Sequence, residues 1–194
     1  MFPPLQRSAH PLLDSLRPLH RSEYERLTAL GSFSDERIEL LSGLLVTMSP
    51  QDAEHAEVVC ALTERLGEAL RGRARVRPQL PLALGDDSEP EPDIAVVPLG
   101  DYSREHPTKA LWVIEVSDSS LRKDREVKGP LYAAAGIGEY WIVDLVHRAV
   151  EVHRAPSGGL YADVSRHGQG GTLTPLAFTD LTVDVSQLVR ITKS

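Results

Sequence analysis

Asp93 and Glu115 are the residues of this chain best suited to chemistry. Asp93 follows Pro92 at the head of the apolar run Ile94-Ala95-Val96-Val97, and Glu115 sits inside Trp112-Val113-Ile114-Glu115-Val116-Ser117. Both runs are short, rich in β-branched residues and bounded by Pro, Gly or polar residues, which is the pattern of a buried strand. A carboxylate buried in such a strand is costly unless something positive compensates it, and a shared divalent metal would satisfy both acids. Cleaving a phosphodiester needs an activated water, neutralisation of charge on the phosphate and stabilisation of the leaving oxygen, and one hard cation serves all three. Magnesium prefers oxygen ligands and keeps several waters, so Asp93, Glu115 and the carbonyl of Val116 would leave room for water and a substrate phosphate. Lys128 lies one helical turn after Asp124 and one before Tyr132, where its amine could activate that water or stabilise the charged transition state. The plainer alternative for Lys128 is a surface i,i+4 pair with Asp124, worth only a few tenths of a kcal/mol.

Two accessory candidates follow. Glu39, in a strand-like run, is a third carboxylate that could reach the metal directly or through water. His55, at the start of a helix, could contact the scissile phosphate or shuttle a proton. Against these stand an exposed strand glutamate and a capping or surface histidine. Arg71-Gly72-Arg73-Ala74-Arg75-Val76-Arg77 places arginines on alternate positions, suited to a phosphate backbone if they line one strand face. A solvated face beside acidic neighbours is the competing interpretation.

The elements that must position these residues alternate in type. Ser22-Glu23-Tyr24-Glu25 has the spacing of a capping box, opening a short helix that Gly31 closes. Arg37 to Leu41 and Leu44 to Met48 form a hairpin around Ser42-Gly43. Ala53, Ala56, Val59, Cys60, Leu62, Thr63, Leu66, Ala69 and Leu70 recur at three and four, predicting a helix of about five turns with Cys60 in its core face. Strands are expected near Ala74 to Arg77 and Leu80 to Leu84, then at the two acid-bearing runs. Asp124 to Ala135 is the second main helix, stopped by Gly136, and Glu139 to Asp144 is a further strand with Tyr140 and Trp141 in the core. Ala149 to His153, Gly159 to Val164 and Thr172 to Leu176 are expected to form an antiparallel meander, and Val185 to Ile191 a terminal helix. The serines of Ser117-Asp118-Ser119-Ser120 cap a strand-to-helix connection, with no histidine placed to make one a nucleophile.

Size and charge bound the rest. At 194 residues with 41% hydrophobic composition, the chain suits one well-buried domain over 22–194, preceded by an irregular arm at 1–21 that holds four prolines. No apolar run approaches the roughly 18 residues of a membrane span. Met1-Phe2-Pro3-Pro4 lacks the features of a secretory signal, and one cysteine makes no internal disulfide, so the cytoplasm is the expected compartment. A net charge of −7 argues against a protein that coats nucleic acid nonspecifically, but an enzyme acting on it can gather carboxylates and keep local basic patches. The seven histidines and single cysteine offer no zinc-site spacing, and no glycine-rich phosphate loop is present.

Asp93 in its Pro-Asp pair, Glu115 in the next strand and a nearby lysine resemble the PD-(D/E)xK nuclease signature. More closely, the chain resembles the Uma family of restriction-endonuclease-like proteins. The matching pieces are Arg37-Ile38-Glu39-Leu40-Leu41-Ser42-Gly43, Met48-Ser49-Pro50 with His55, Glu91-Pro92-Asp93-Ile94, Val113-Ile114-Glu115-Val116-Ser117, Asp124 with Lys128 and Tyr132, and Gly138 to Asp144, together spanning roughly 22 to 190. Ser117 stands where the parent signature has its lysine. The family places that lysine on the following helix, as Lys128 is here. Ser42 and Leu44 replace acids common in the family's hairpin turn, a change of little expected consequence because both should point outward. The resemblance implies a restriction-endonuclease-like α/β fold, a mixed central sheet flanked by helices with a C-terminal antiparallel meander. It also implies a Mg²⁺- or Mn²⁺-dependent DNA endonuclease acting as a homodimer, since a double-strand break needs two sites. The competing class is a noncatalytic nucleic-acid or protein-binding module of the same fold, and a weaker option is hydrolysis of another phosphodiester. Retention of Asp93, Glu115 and Lys128 favours the enzyme.

Overall fold

The two acid-bearing strands lie inside a six-stranded sheet in the computed structural model, which describes residues 15–189. Its order is β3 (Arg75–Pro78), β4 (Ile94–Val97), β5 (Trp112–Ser117), β6 (Glu139–Asp144), β7 (Ala149–Ser157) and β8 (Leu160–Gly168). Only β5 and β6 are parallel. A parallel pair needs a crossover, and the helical segment between them supplies it. β4, β5 and β6 are buried along their whole length because both faces are covered.

One face packs on α2 (Ala53–Ala69) and α5 (Val185–Val189). There Val58, Val59, Leu62 and Leu66 meet Ile94, Val96, Ile114 and the edge-to-face pair Trp112–Trp141, whose centroids lie 4.4 Å apart. The other face meets the crossover helix and the hairpin of β1 (Ile38–Leu41) and β2 (Leu44–Thr47), with Leu41, Val113, Leu131, Tyr132, Tyr140 and Ile142 in contact. The hairpin turns on Ser42 and Gly43, both at positive φ (50° and 77°), as a two-residue turn matching the strand twist requires. Gly43 is also fixed by close approach, because a Cβ there would stand 2.4 Å from the Pro18 Cβ.

Several expectations change. α1 (Arg21–Ala29) begins one residue before Ser22, because Glu23 rather than Glu25 reaches back, its carboxylate accepting from the His20 N–H at 2.9 Å. Gly31 does close it, with Ser32 and Gly31 donating to the Leu27 and Thr28 carbonyls. Leu80 to Leu84 is not a strand. Pro78 and Pro81 lack ladder donors, and the Leu82 and Leu84 N–H groups go to Pro90 and Ser88 in a folded loop. Thr172–Leu173 (β9) leaves the antiparallel β6–β7–β8 run and pairs with β10 (Val183–Asp184) in a separate ribbon. Cys60 is exposed, roughly half a helical turn away from the buried stripe of α2. Of the expected arm, residues 1–14 lie outside the described residues and 16–20 are irregular, while residues 190–191 of the expected terminal helix also lie outside them.

The second main helix starts three residues early and has three parts: α3 (Leu121–Lys123), a π-helical turn (Asp124–Lys128) and α4 (Gly129–Ala134). Pro130 explains the bulge. It cannot donate to the carbonyl four residues back, and its ring would crowd that carbonyl. The ladder widens instead, with the Gly129 N–H reaching the Asp124 carbonyl five residues earlier.

Candidate active site

All five side chains singled out by sequence converge at one end of the sheet. Asp93 precedes β4, held extended by the Pro-rich approach, and its Oδ2 accepts the Val116 N–H at 2.8 Å where the β4–β5 ladder stops at Ile94 and Ile114. Its Oδ1 lies 3.0 Å from His55 Nε2. His55 gets there because it continues the buried stripe of α2 beyond the sheet, while its own N–H is capped by Asp52 at 2.8 Å. Glu115 is on the face of β5 turned towards the crossover helix. Lys128 and Tyr132, one turn apart, both donate to its Oε1, at 2.9 and 2.7 Å, and the Asp93 N–H lies 3.3 Å from its Oε2. Glu39, fully buried on β1, bridges two amines, with Lys128 3.1 Å from Oε2 and Lys123 3.1 Å from Oε1.

Asp124 does not pair with Lys128 on the surface. It is buried, and its Oδ2 accepts from both Ser117 and Ser120 at 2.6 Å. Ser117, at the position where the parent signature has lysine, thus anchors the π turn that carries Lys128. Lys123 was not legible from spacing, because only the π turn brings it and Lys128 onto the same glutamate. Tyr132 and Asp124 carried a signal in their four-residue spacing from Lys128. Ser42 is half-buried rather than outward, its N–H donating to Ser88 Oγ at 2.9 Å, whereas Leu44 is exposed as expected.

The cluster opens on a cleft of about 530 Å³ lined by His55, Asp93, Glu115, Val116, Lys123 and Lys128, among others. Burial pushes Glu115 up to about 8; Lys128 opposes this, and the charges of Asp124, Asp93 and Glu39 add to it. Burial also acts against ionised Asp93, but His55 and the Val116 N–H outweigh it and hold that carboxyl below its ordinary range. Desolvation likewise disfavours charged His55 and charged Lys128. Asp93 reverses it for the histidine, and Glu115, Glu39 and Asp124 reverse it for the lysine, so both stay raised.

Among the described residues, no three His, Cys, Asp or Glu side chains converge as a ready-made metal cage. Magnesium does not require one, since one or two carboxylates with waters and substrate oxygens suffice. The donor set here is hard oxygen, and acids outnumber bases: Glu39, Asp93, Glu115 and Asp124, with Glu91 at the rim, face Lys123, Lys128 and His55. Burial first, and the neighbouring carboxylates second, disfavour a charged Glu115, and a cation at this oxygen-rich end would relieve both, so the residues fit a hard divalent cation.

A family model described as "Uma2: Putative restriction endonuclease" matches residues 21–186. No curated protein matches the chain. Among solved structures, the fold is similar to the "Crystal structure of a putative nuclease belonging to DUF820 from Anabaena variabilis ATCC 29413", with a TM-score of 0.72 at 17% identity, covering 89% of this chain and 98% of that one.

Proposed function

The chain belongs to the Uma2 family, and from that premise we propose a metal-dependent endonuclease that hydrolyses DNA phosphodiester bonds. The observation that carries the proposal is the position of the Lys128 amine, 2.9 Å from Glu115 and 3.1 Å from Glu39, in the cleft that Asp93 also lines. A buried lysine held by two acids makes little sense as a surface pair and good sense as a fixed positive charge beside a reacting phosphate.

Asp93, Glu115 and the Val116 carbonyl would hold Mg²⁺ or Mn²⁺, which when bound supplies Lewis acidity and a more acidic water. Lys128, kept protonated by its two carboxylates, orients the attacking water and offsets charge growing on the phosphate. Tyr132 fixes the Glu115 rotamer, and Glu39 fixes the lysine. His55, paired with Asp93 and biased towards its charged form, sits at the head of α2, where the helix dipole also favours an anion such as a phosphate oxygen. A double-strand break would require two such sites, hence a homodimer.

The test is cleavage of supercoiled, linear and single-stranded DNA, with an RNA control, in Mg²⁺ and Mn²⁺. Metal-dependent cutting should fall by at least about 100-fold in Glu115→Ala and in Lys128→Ala. Equal cutting by wild type and both variants would refute the assignment.

A further inference from the structure

The arginine run of the sequence is split by the fold, and what remains of it forms a second charged surface. Arg73 is used internally, clamped by Asp180 at 2.7 and 2.8 Å and stacked over Phe178. Arg75 and Arg77 lie on one face of β3, the edge strand of the sheet, and both guanidinium groups rest against a single ring, Tyr102, at 5.8 and 5.5 Å from its centroid. The ring is clamped, because Tyr102 donates to the Pro98 carbonyl at 2.8 Å and Gly100 leaves it room: a Cβ at Gly100 would stand 3.2 Å from the phenol.

Among the described residues neither guanidinium has a carboxylate within salt-bridge distance. Asp101 feels the charge of Arg75 but is bound to the Ser103 N–H. Arg77 is only 8% exposed, and its Nε has no hydrogen-bond partner. Two like charges on one ring, one of them buried with an unsatisfied donor, are costly in isolation and pre-organised for an anion. Tyr102 also lines an open groove of about 1110 Å³ with Arg21, Arg104, His106 and Thr108. Its acids are Glu25, which is paired to Arg21, and Glu105.

Strand β3 ties this surface to the cleft. It runs on into Gln79, whose side-chain amide lies 3.4 Å from Asp93 Oδ1. At about 3.3 Å per residue, Arg77 and Arg75 stand roughly 3 and 10 Å along the strand from its end at Pro78, which adjoins Gln79. We propose that the Arg75–Arg77–Tyr102 platform is a docking subsite for the phosphodiester backbone of the nucleic acid, a few phosphates away from the bond that is cut. This rests on the nuclease reading for its purpose, although the binding it asserts is measured separately.

The experiment is fluorescence anisotropy of a labelled DNA duplex over a salt series in Ca²⁺, comparing wild type, Arg75→Ala and, as a control for general charge loss, the exposed Arg122→Ala on the crossover helix. Arg75 is exposed, so its loss should leave the circular dichroism unchanged. The subsite predicts several-fold weaker binding for Arg75→Ala and a salt slope shallower by roughly 0.9 per lost phosphate contact, with Arg122→Ala like wild type. Superimposable curves for all three proteins, or no duplex binding by wild type, would overturn the proposal. If wild type fails to cut DNA yet Arg75→Ala still flattens the slope, the nuclease reading fails and the docking surface stands.

Discussion

At the scale of single residues, the cluster shows how burial assigns roles to similar groups. Asp93, just before β4, and Glu115, on the neighbouring β5, are both carboxylates, yet His55 and a main-chain N–H keep the first ionised while burial drives the second up towards 8. These two, with Lys128, were legible because charged residues interrupt apolar runs or recur at helical spacing. Lys123 was not, since its contact with Glu39 depends on a backbone irregularity. Glu89, outside the cleft, is another buried acid: burial raises it to about 7, with Arg21 too distant, at 3.9 Å, to compensate fully. Its folded pKa exceeds the ordinary glutamate value, so its contribution to stability is fully present below pH ~4.5 and is lost as pH rises through 7. Glu89→Gln should therefore raise the melting temperature at pH 8 by the equivalent of about 1–2 kcal/mol, and much less at pH 4.5. Thermal unfolding at the two pH values checks this, and an equal gain at both would contradict it.

Among the elements, the bulged helix carries both lysines of the proposed site, Lys123 and Lys128. Its apolar spacing, with Val127 and Leu131 on one face, identified a helix, but periodicity says nothing about one widened turn, and Pro130 was its only visible signal. Pro130→Ala restores the missing donor and relieves the crowding of the Glu126 carbonyl. The helix should become more stable while the π turn relaxes and Lys128 rotates off Glu115. The expected outcome is a higher melting temperature together with at least about tenfold slower metal-dependent cleavage, and unchanged cleavage would detach the bulge from the chemistry. The Leu80 to Leu84 segment failed as a strand for a related reason, since Leu82 and Leu84 are real core contacts but Leu80 is exposed and Pro81 withholds a ladder donor. Thr172 to Leu176 failed because strand propensity does not name a partner, and β10, the partner it found, is only two residues long.

Across the whole molecule, the order of apolar runs and breakers marked most strands and helices, while the mixed sheet flanked by helices was an implication of the family resemblance. Tertiary packing decided what periodicity placed wrongly, such as Cys60, which faces away from the Val58, Val59, Leu62 and Leu66 side of α2. The central sheet is closed by Trp112 and Trp141, both fully buried. Trp141→Ala should cost about 3–5 kcal/mol in chemical denaturation, enough to unfold much of a marginally stable domain. If the protein makes double-strand breaks as a homodimer, sedimentation should give twice the 21.3 kDa chain mass, and a strict monomer that still linearises plasmid in one event would contradict that arrangement.

If the buried acids form a divalent-cation site beside Lys128, calorimetric titration with Mn²⁺ reads it most directly. Wild type should bind the ion saturably, Asp93→Ala and Glu115→Ala should lose that binding, and Arg75→Ala should keep it. Heats that are the same for wild type and both acid variants would contradict the account.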